Sequence, residues 1–142
     1  MPSVSNEITI ARPVDVVFGA LADPKVQTTY DSEMMRSVEQ LTDGPIRQGT
    51  RFRGDFKGMG KVEYEYSQFE PNRLIEHAVQ MPFGAMRHRF EFELQAGSTR
   101  LTQTIEARLN LLGQILWPLM MQRMMSKRVA TLNGLVKRYV ET

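Results

Sequence analysis

The chain has 142 residues and a formal net charge of +2, a length that lets one ordinary domain bury a core without cross-links. It has no cysteine, which excludes disulfide scaffolds and thiolate metal sites and points to a reducing cytoplasm. Basic residues are spread along the chain rather than packed into the dense Lys/Arg blocks of a nucleic-acid surface, so no nucleic-acid partner is expected.

In chain order, Met1 to Glu7 is polar and does not read as a signal peptide. A short strand is predicted around Val4 to Ile10. Pro13 is well placed at the first turn of a helix, where Val14, Val17, Phe18 and Leu21 recur at helical spacing and Asp15 favours the positive end of the dipole. Asp23-Pro24 should end this helix, because the residue before proline is pushed out of the helical region. A short irregular or helical piece follows to about Tyr30.

From there to Ala107 the period changes to two, and alternating runs are separated by turn formers: Asp43-Gly44-Pro45, Lys57-Gly58-Met59-Gly60, Glu70-Pro71-Asn72, Pro82-Phe83-Gly84 and Ala96-Gly97-Ser98. This is a meander of hairpins. From about Pro118 to Tyr139 the chain reads as one long helix, with Met121, Met125, Val129, Leu132, Val136 and Tyr139 along one stripe. Gly134 inside it weakens the helix by about 1 kcal/mol relative to Ala, which points to close packing there. Leu109 to Met121 is the most apolar stretch, but it is interrupted by Asn110, Gln114 and Pro118 and is too short to span a bilayer.

Folding the chain about each turn tests the hairpins, because a slip of one residue reverses every side chain. About Pro71-Asn72, Tyr66 falls opposite His77 and Tyr64 opposite Val79. About Phe83-Gly84, Val79 meets His88, His77 meets Phe90 and Ile75 meets Phe92. About Ala96-Gly97, Phe92 meets Leu101, Phe90 meets Gln103 and His88 meets Ile105. About Lys57 to Gly60, Phe56 meets Val62 and Phe52 meets Tyr66. All four turns put one residue set on one face. The other face pairs Glu93 with Arg100, Arg87 with Glu106 and Arg53 with Glu65, with one wrong-signed pair, Glu76 opposite Glu91.

The expected architecture is α+β: residues 1–142 as a single domain, a curved antiparallel sheet of about seven strands wrapped around a long C-terminal helix, and two short helices after the first strand. The segments Ile8 to Phe18 (ITIARPVDVVF), Leu21 to Pro24 (LADP), Gly49 to Phe52 (GTRF), Phe69 to Leu74 (FEPNRL) and the final amphipathic helix resemble the START-like (SRPBCC) superfamily, within it the polyketide cyclase/dehydrase and lipid-transport group. The resemblance covers the whole chain and implies a helix-grip fold. It carries no catalytic signature, and members of the superfamily include carriers, cyclases and sensors, so it implies fold rather than one function.

The predicted inner face mixes aromatic and polar side chains: Phe52, Tyr64, Tyr66, Gln68, His77, Val79, His88, Phe90 and Gln103, with Met121 and Met125 added by the helix. Buried polar groups need partners, and a cavity holding a small apolar or lipid-like ligand supplies them. Pairing with one another in a filled core is the bland alternative. The ten methionines, dense at Met34, Met35 and from Met120 to Met125, suit an irregular apolar cavity or a loosely filled core.

His77 and His88, with Tyr64 or Tyr66 to polarise a carbonyl, are the acid/base candidates if the domain is an enzyme of the cyclase or dehydratase type. No metal is expected, since His88 and Glu91 on one strand point to opposite faces. Nor is a cofactor: the Gly58-Met59-Gly60 turn is a hairpin rather than a phosphate cradle. Leu111 to Trp117 is expected to be a pocket rim or gate, and the element that touches membranes if any does, in transient contact. Three readings remain open: a ligand carrier or sensor, a cyclase-type enzyme, and an interaction module without ligand.

Overall fold

The computed structural model describes residues 2–142; Met1 of the polar N-terminal segment lies outside them. Strand β1 (Ser3–Ile10) leads into helices α1 (Val14–Ala22) and α2 (Pro24–Tyr30), and strands β2 (Met35–Gln40), β3 (Arg51–Phe56), β4 (Gly60–Glu70), β5 (Leu74–Met81), β6 (Gly84–Gln95) and β7 (Ser98–Leu109) follow. They form one antiparallel sheet in the order β1-β7-β6-β5-β4-β3-β2, curved and open around a long C-terminal helix. Asp23 ends α1, as the proline pair predicts, and also caps α2, its carboxylate accepting from the Lys25 amide at 3.0 Å with Pro24 at the first turn.

The β6–β7 register agrees with expectation: Phe92 faces Leu101, Phe90 faces Gln103 and His88 faces Ile105. Tyr66 faces His77. Two hairpins differ by two residues. The β5–β6 loop is the two-residue pair Pro82-Phe83 with Gly84 already in the ladder opposite Met81, so His77 meets His88, Ile75 meets Phe90 and Val79 meets Met86. At the β3–β4 turn Phe56 pairs with Gly60, which brings Phe52 opposite Tyr64 and Arg53 opposite Glu63. A two-residue slip keeps every side chain on its face, so the inner set survives. It also removes the wrong-signed pair: Glu76 faces Arg89, not Glu91.

Glu76 is an outer-face residue that is nonetheless only 1 % exposed. Ser67 Oγ donates to its Oε1 at 2.7 Å and Arg89 Nη2 to its Oε2 at 2.7 Å. Burial raises its pKa, but these bonds and the neighbouring Arg89 and Arg87 charges outweigh that and hold the carboxyl below its ordinary value. Ser67 owes its position to a bulge, which displaces the β4–β5 register between Tyr66 and Gln68. Beyond the bulge the faces exchange. Phe69 turns inward against Phe18 and Tyr66, and Gln68, expected inside, sits opposite the outer-face Glu76.

The C-terminal helix starts earlier than expected. Asn110 caps α3 (Leu111–Leu116), accepting from the Gly113 amide at 3.0 Å, and a π turn over Trp117–Met121 joins it to α4 (Gln122–Glu141). Pro118 lacks an amide hydrogen and crowds the carbonyl one turn back. Widening to the π turn, in which the Gln122 amide reaches the Trp117 carbonyl, lets the helix run through it. Val129, Leu132 and Val136 are fully buried, while Tyr139 is half exposed and Val140 takes the core position. Gly134 does not mark a close approach: a methyl group there would meet nothing within 4 Å.

The core divides into a larger cluster around Ile10, Val17, Phe52, Tyr66, Phe90 and Leu132 and a smaller one around Val4, Ala107, Trp117, Met121 and Val129. Gly84, at φ 138°, lies where an added Cβ would come within 2.3 Å of the Arg108 carbonyl oxygen. Gly84→Ala therefore combines left-handed backbone strain with a backbone clash. It is expected to cost at least about 2 kcal/mol, read as a lowered urea midpoint with an unchanged m-value.

Candidate functional site

Between the inner face of the sheet and the C-terminal helix lies a cavity of about 670 Å³, within the range of small-molecule sites. Strands β3 to β7 contribute Phe56, Val62, Tyr64, His77, Val79, Met81, Met86, His88, Phe90 and Ile105; the helix contributes Met120, Met124, Met125 and Arg128. Gln27, Met34, Met35 and the β3–β4 turn at Lys57, Gly58 and Met59 complete it. Both core clusters border it, through Tyr64 and Phe90 on one side and Ile105 and Met125 on the other.

Of the residues expected to line a site, Tyr64, His77, Val79, His88, Phe90 and Met125 do so. Phe52 and Tyr66 lie behind that wall: Phe52 stacks on Tyr64 at 5.4 Å, and Tyr66 stacks on His77 at 4.9 Å and donates its hydroxyl to the Ala22 carbonyl at 2.9 Å. Gln103 is buried one layer back, bonded to His88. Met121 packs in the smaller core cluster, and Gln68 is removed by the bulge. Sequence reasoning missed Phe56, Val62, Ile105 and the contribution of α2. The methionine excess was the available signal, for Met34, Met35, Met59, Met81, Met86, Met120, Met124 and Met125 all border the cavity.

The polar groups of the wall divide into a satisfied chain and an unsatisfied pair. Asn133 donates through Nδ2 to the Asn6 backbone carbonyl at 3.1 Å, which fixes its Oδ1 as the acceptor for Gln103 Nε2 at 2.6 Å. Gln103 therefore presents Oε1 to His88 Nε2 at 2.8 Å, so the imidazole carries its proton on Nε2. A backbone carbonyl sets the His88 tautomer through two side-chain amides. By contrast, Tyr64 Oη and His77 Nε2 are buried with no hydrogen-bond partner among the described residues, their rings 5.1 Å apart.

Burial pushes the His77 pKa well below its ordinary value, with His88 adding a smaller push in the same direction. Burial also lowers His88, to about 4, against the Gln103 hydrogen bond that raises it. Both rings are neutral at physiological pH. Burial raises the Tyr64 and Tyr66 hydroxyls, so both stay protonated. At the cavity edge Arg128 donates to both Asp31 carboxylate oxygens at 3.0 and 2.5 Å, and Gln27 Nε2 donates to Asp31 Oδ2 at 3.0 Å. A more polar depression of about 570 Å³ adjoins the cavity, sharing Met34, Lys57, Met124 and Arg128.

Comparison with known proteins places this geometry. The protein TTHA0849 from Thermus thermophilus superposes with a TM-score of 0.75 at 22% identity, over 98% of this chain and 97% of that one. A START superfamily protein from Mycobacterium smegmatis gives 0.76 at 16% identity, over 98% and 97%. The Zhui aromatase/cyclase from Streptomyces sp. R1128 gives 0.75 at 19%, over 99% and 93%. At these identities the likeness is one of fold. No curated protein matches the chain in sequence. The profile of the family described as polyketide cyclase / dehydrase and lipid transport matches residues 1–141, and the chain belongs to that family, with the START-like helix-grip fold.

Proposed function

We propose that residues 1–142 act as one ligand-binding domain, a carrier or sensor that holds a small, largely apolar molecule in the 670 Å³ cavity and needs no cofactor. One observation carries this reading: Tyr64 Oη and His77 Nε2 are left without partners among the described residues, in a wall that is largely apolar. An unpaired buried polar group costs roughly 1–3 kcal/mol, and a ligand with a carbonyl or hydroxyl at this end relieves that cost. The neutral state of both imidazoles favours binding over proton transfer, because a base with a pKa near 4 is poorly matched to neutral pH. The likeness to an aromatase/cyclase makes turnover the second reading, with His77 or His88 as base and Tyr64 polarising a carbonyl.

Native mass spectrometry of the protein from its own cells, with a melting-temperature screen of fatty acids, sterols and aromatic polyketides, tests the proposal. At least one compound is expected to bind in one-to-one ratio and raise the melting temperature. If none does, the ligand-binding reading fails. Tyr64→Phe gives a sharper expectation: the free protein should be no less stable, because an unpaired hydroxyl is removed, while affinity for the compound found should fall about tenfold. Turnover that His77→Phe or His88→Gln abolishes without loss of binding establishes the enzyme instead.

A further inference from the structure

Leu111, Leu112, Ile115, Leu119, Met120 and Met124 are each more than half exposed, with Leu111 at 75% and Leu119 at 76%. Elsewhere among the described residues the large exposed apolar side chains are Val16, Met59, Leu94 and Tyr139. The apolar surface is thus concentrated on fourteen residues of α3, the π turn and the start of α4. Leu111, Ile115 and Leu119 recur at intervals of four along one helical face. Met120 and Met124 join this face to the cavity, whose wall they share with Met59, and all three are exposed lining residues and so mark where the cavity opens to solvent. Scattered exposed residues need no explanation, but a contiguous patch beside a cavity mouth does.

Charge identifies the occupant. Between Glu106 and Glu141 the chain has no acidic residue, but it carries Arg108, Arg123, Lys127, Arg128, Lys137 and Arg138. Of these, Arg108, Arg123, Lys127 and Arg138 are exposed and form no ion pair among the described residues, and the same holds for Lys57 and Lys61 on either side of Met59. Two copies joined through this face would bring like charges together. An anionic surface would not. We propose that the exposed face of Leu111 to Met124, together with Met59, docks on an anionic phospholipid bilayer, its apolar side chains entering the headgroup boundary and Arg123, Lys127 and Lys57 meeting phosphates. Docking there sets the cavity mouth against the lipid. No helix is long and apolar enough to cross the membrane, so the contact is peripheral.

Flotation of the full chain with vesicles of phosphatidylcholine, with and without an equal part of phosphatidylglycerol, tests this without any cavity ligand, so its outcome is separate from that of the melting-temperature screen. Partition into the mixed vesicles, weakened by salt, is expected. Leu111→Ser/Leu119→Ser should reduce it at least about tenfold, Arg123→Glu/Lys127→Glu at least as much, and Leu94→Ser not at all. All these positions are exposed, so unchanged urea midpoints are expected to confirm folding. Absence of partition overturns the proposal, and so does partition that the charge variant abolishes but the leucine variant does not. A dimer in sedimentation that the leucine variant dissolves, with no vesicle binding, assigns the face to a second copy and also overturns it.

Discussion

Lowering the pH from neutrality toward 4 is expected to destabilise the fold before the carboxylates titrate. His88, partly buried in the cavity wall, has its pKa lowered to about 4 from an ordinary 6.5, and the likewise partly buried His77 is pushed well below that ordinary value. Between 6.5 and 4 the unfolded chain takes up a proton at His88 and the folded chain does not, so stability is complete above 6.5 and falls as pH falls. For His88 alone the loss by pH 4 is about 3 kcal/mol, and His77 acts in the same direction. Glu76, whose pKa is lowered, has the same sign but acts later. Its contribution is present above the unfolded carboxylate pKa and is lost only as pH drops through the lowered value. Urea midpoints measured in steps down the pH scale should therefore decline first through the histidine range. Replacement of both rings, as His77→Phe/His88→Gln, should flatten that part of the curve. A wild-type midpoint that stays level from 6.5 to about 5 would mean that the rings are solvated or charged in the folded protein.

Arg128→Met is expected to cost about 3–5 kcal/mol. The Asp31 side chain is only 2% exposed and the Arg128 side chain 18%, so removing the guanidinium strands a carboxylate with Gln27 as its remaining side-chain partner. Asp31→Asn/Arg128→Met should recover most of the loss, since it removes the stranded charge together with its partner. The melting temperatures of the wild type, both single variants and the double variant give the coupling directly. Additive losses would show that the ion pair is not the source of the effect. Arg128 also borders both the cavity and the adjoining depression, so the same variants alter the wall that the two share.

The sequence reports faces better than partners. Alternation along β4, β5 and β6 puts Tyr64, His77, His88 and Phe90 on one side, and that assignment survives two hairpin errors because each displaced the register by an even number of residues. The wrong-signed Glu76–Glu91 pair was the visible symptom of one of them. Turn chemistry did not reveal that Gly84 belongs to the ladder rather than to the loop. A single inserted residue is harder: the bulge at Ser67 reverses parity beyond it, moving Gln68 outward and Phe69 inward, with no local marker of composition. Pro118 misleads for the opposite reason, as a strong helix breaker absorbed by a π turn. Which inner-face residues border the cavity and which stand one layer behind it depends on the curvature of the sheet, a property no single strand carries.

The methionine wall has a consequence for selectivity. Branched and aromatic side chains hold a fixed outline, whereas the eight unbranched thioethers that border this cavity can change rotamer at little cost and close around bodies of different shape. A site built this way discriminates by bulk and by where the guest places its polar atom, not by contour. Compounds of similar volume and unlike skeletons should therefore compete for it, with the Tyr64–His77 end as the point of reference they share.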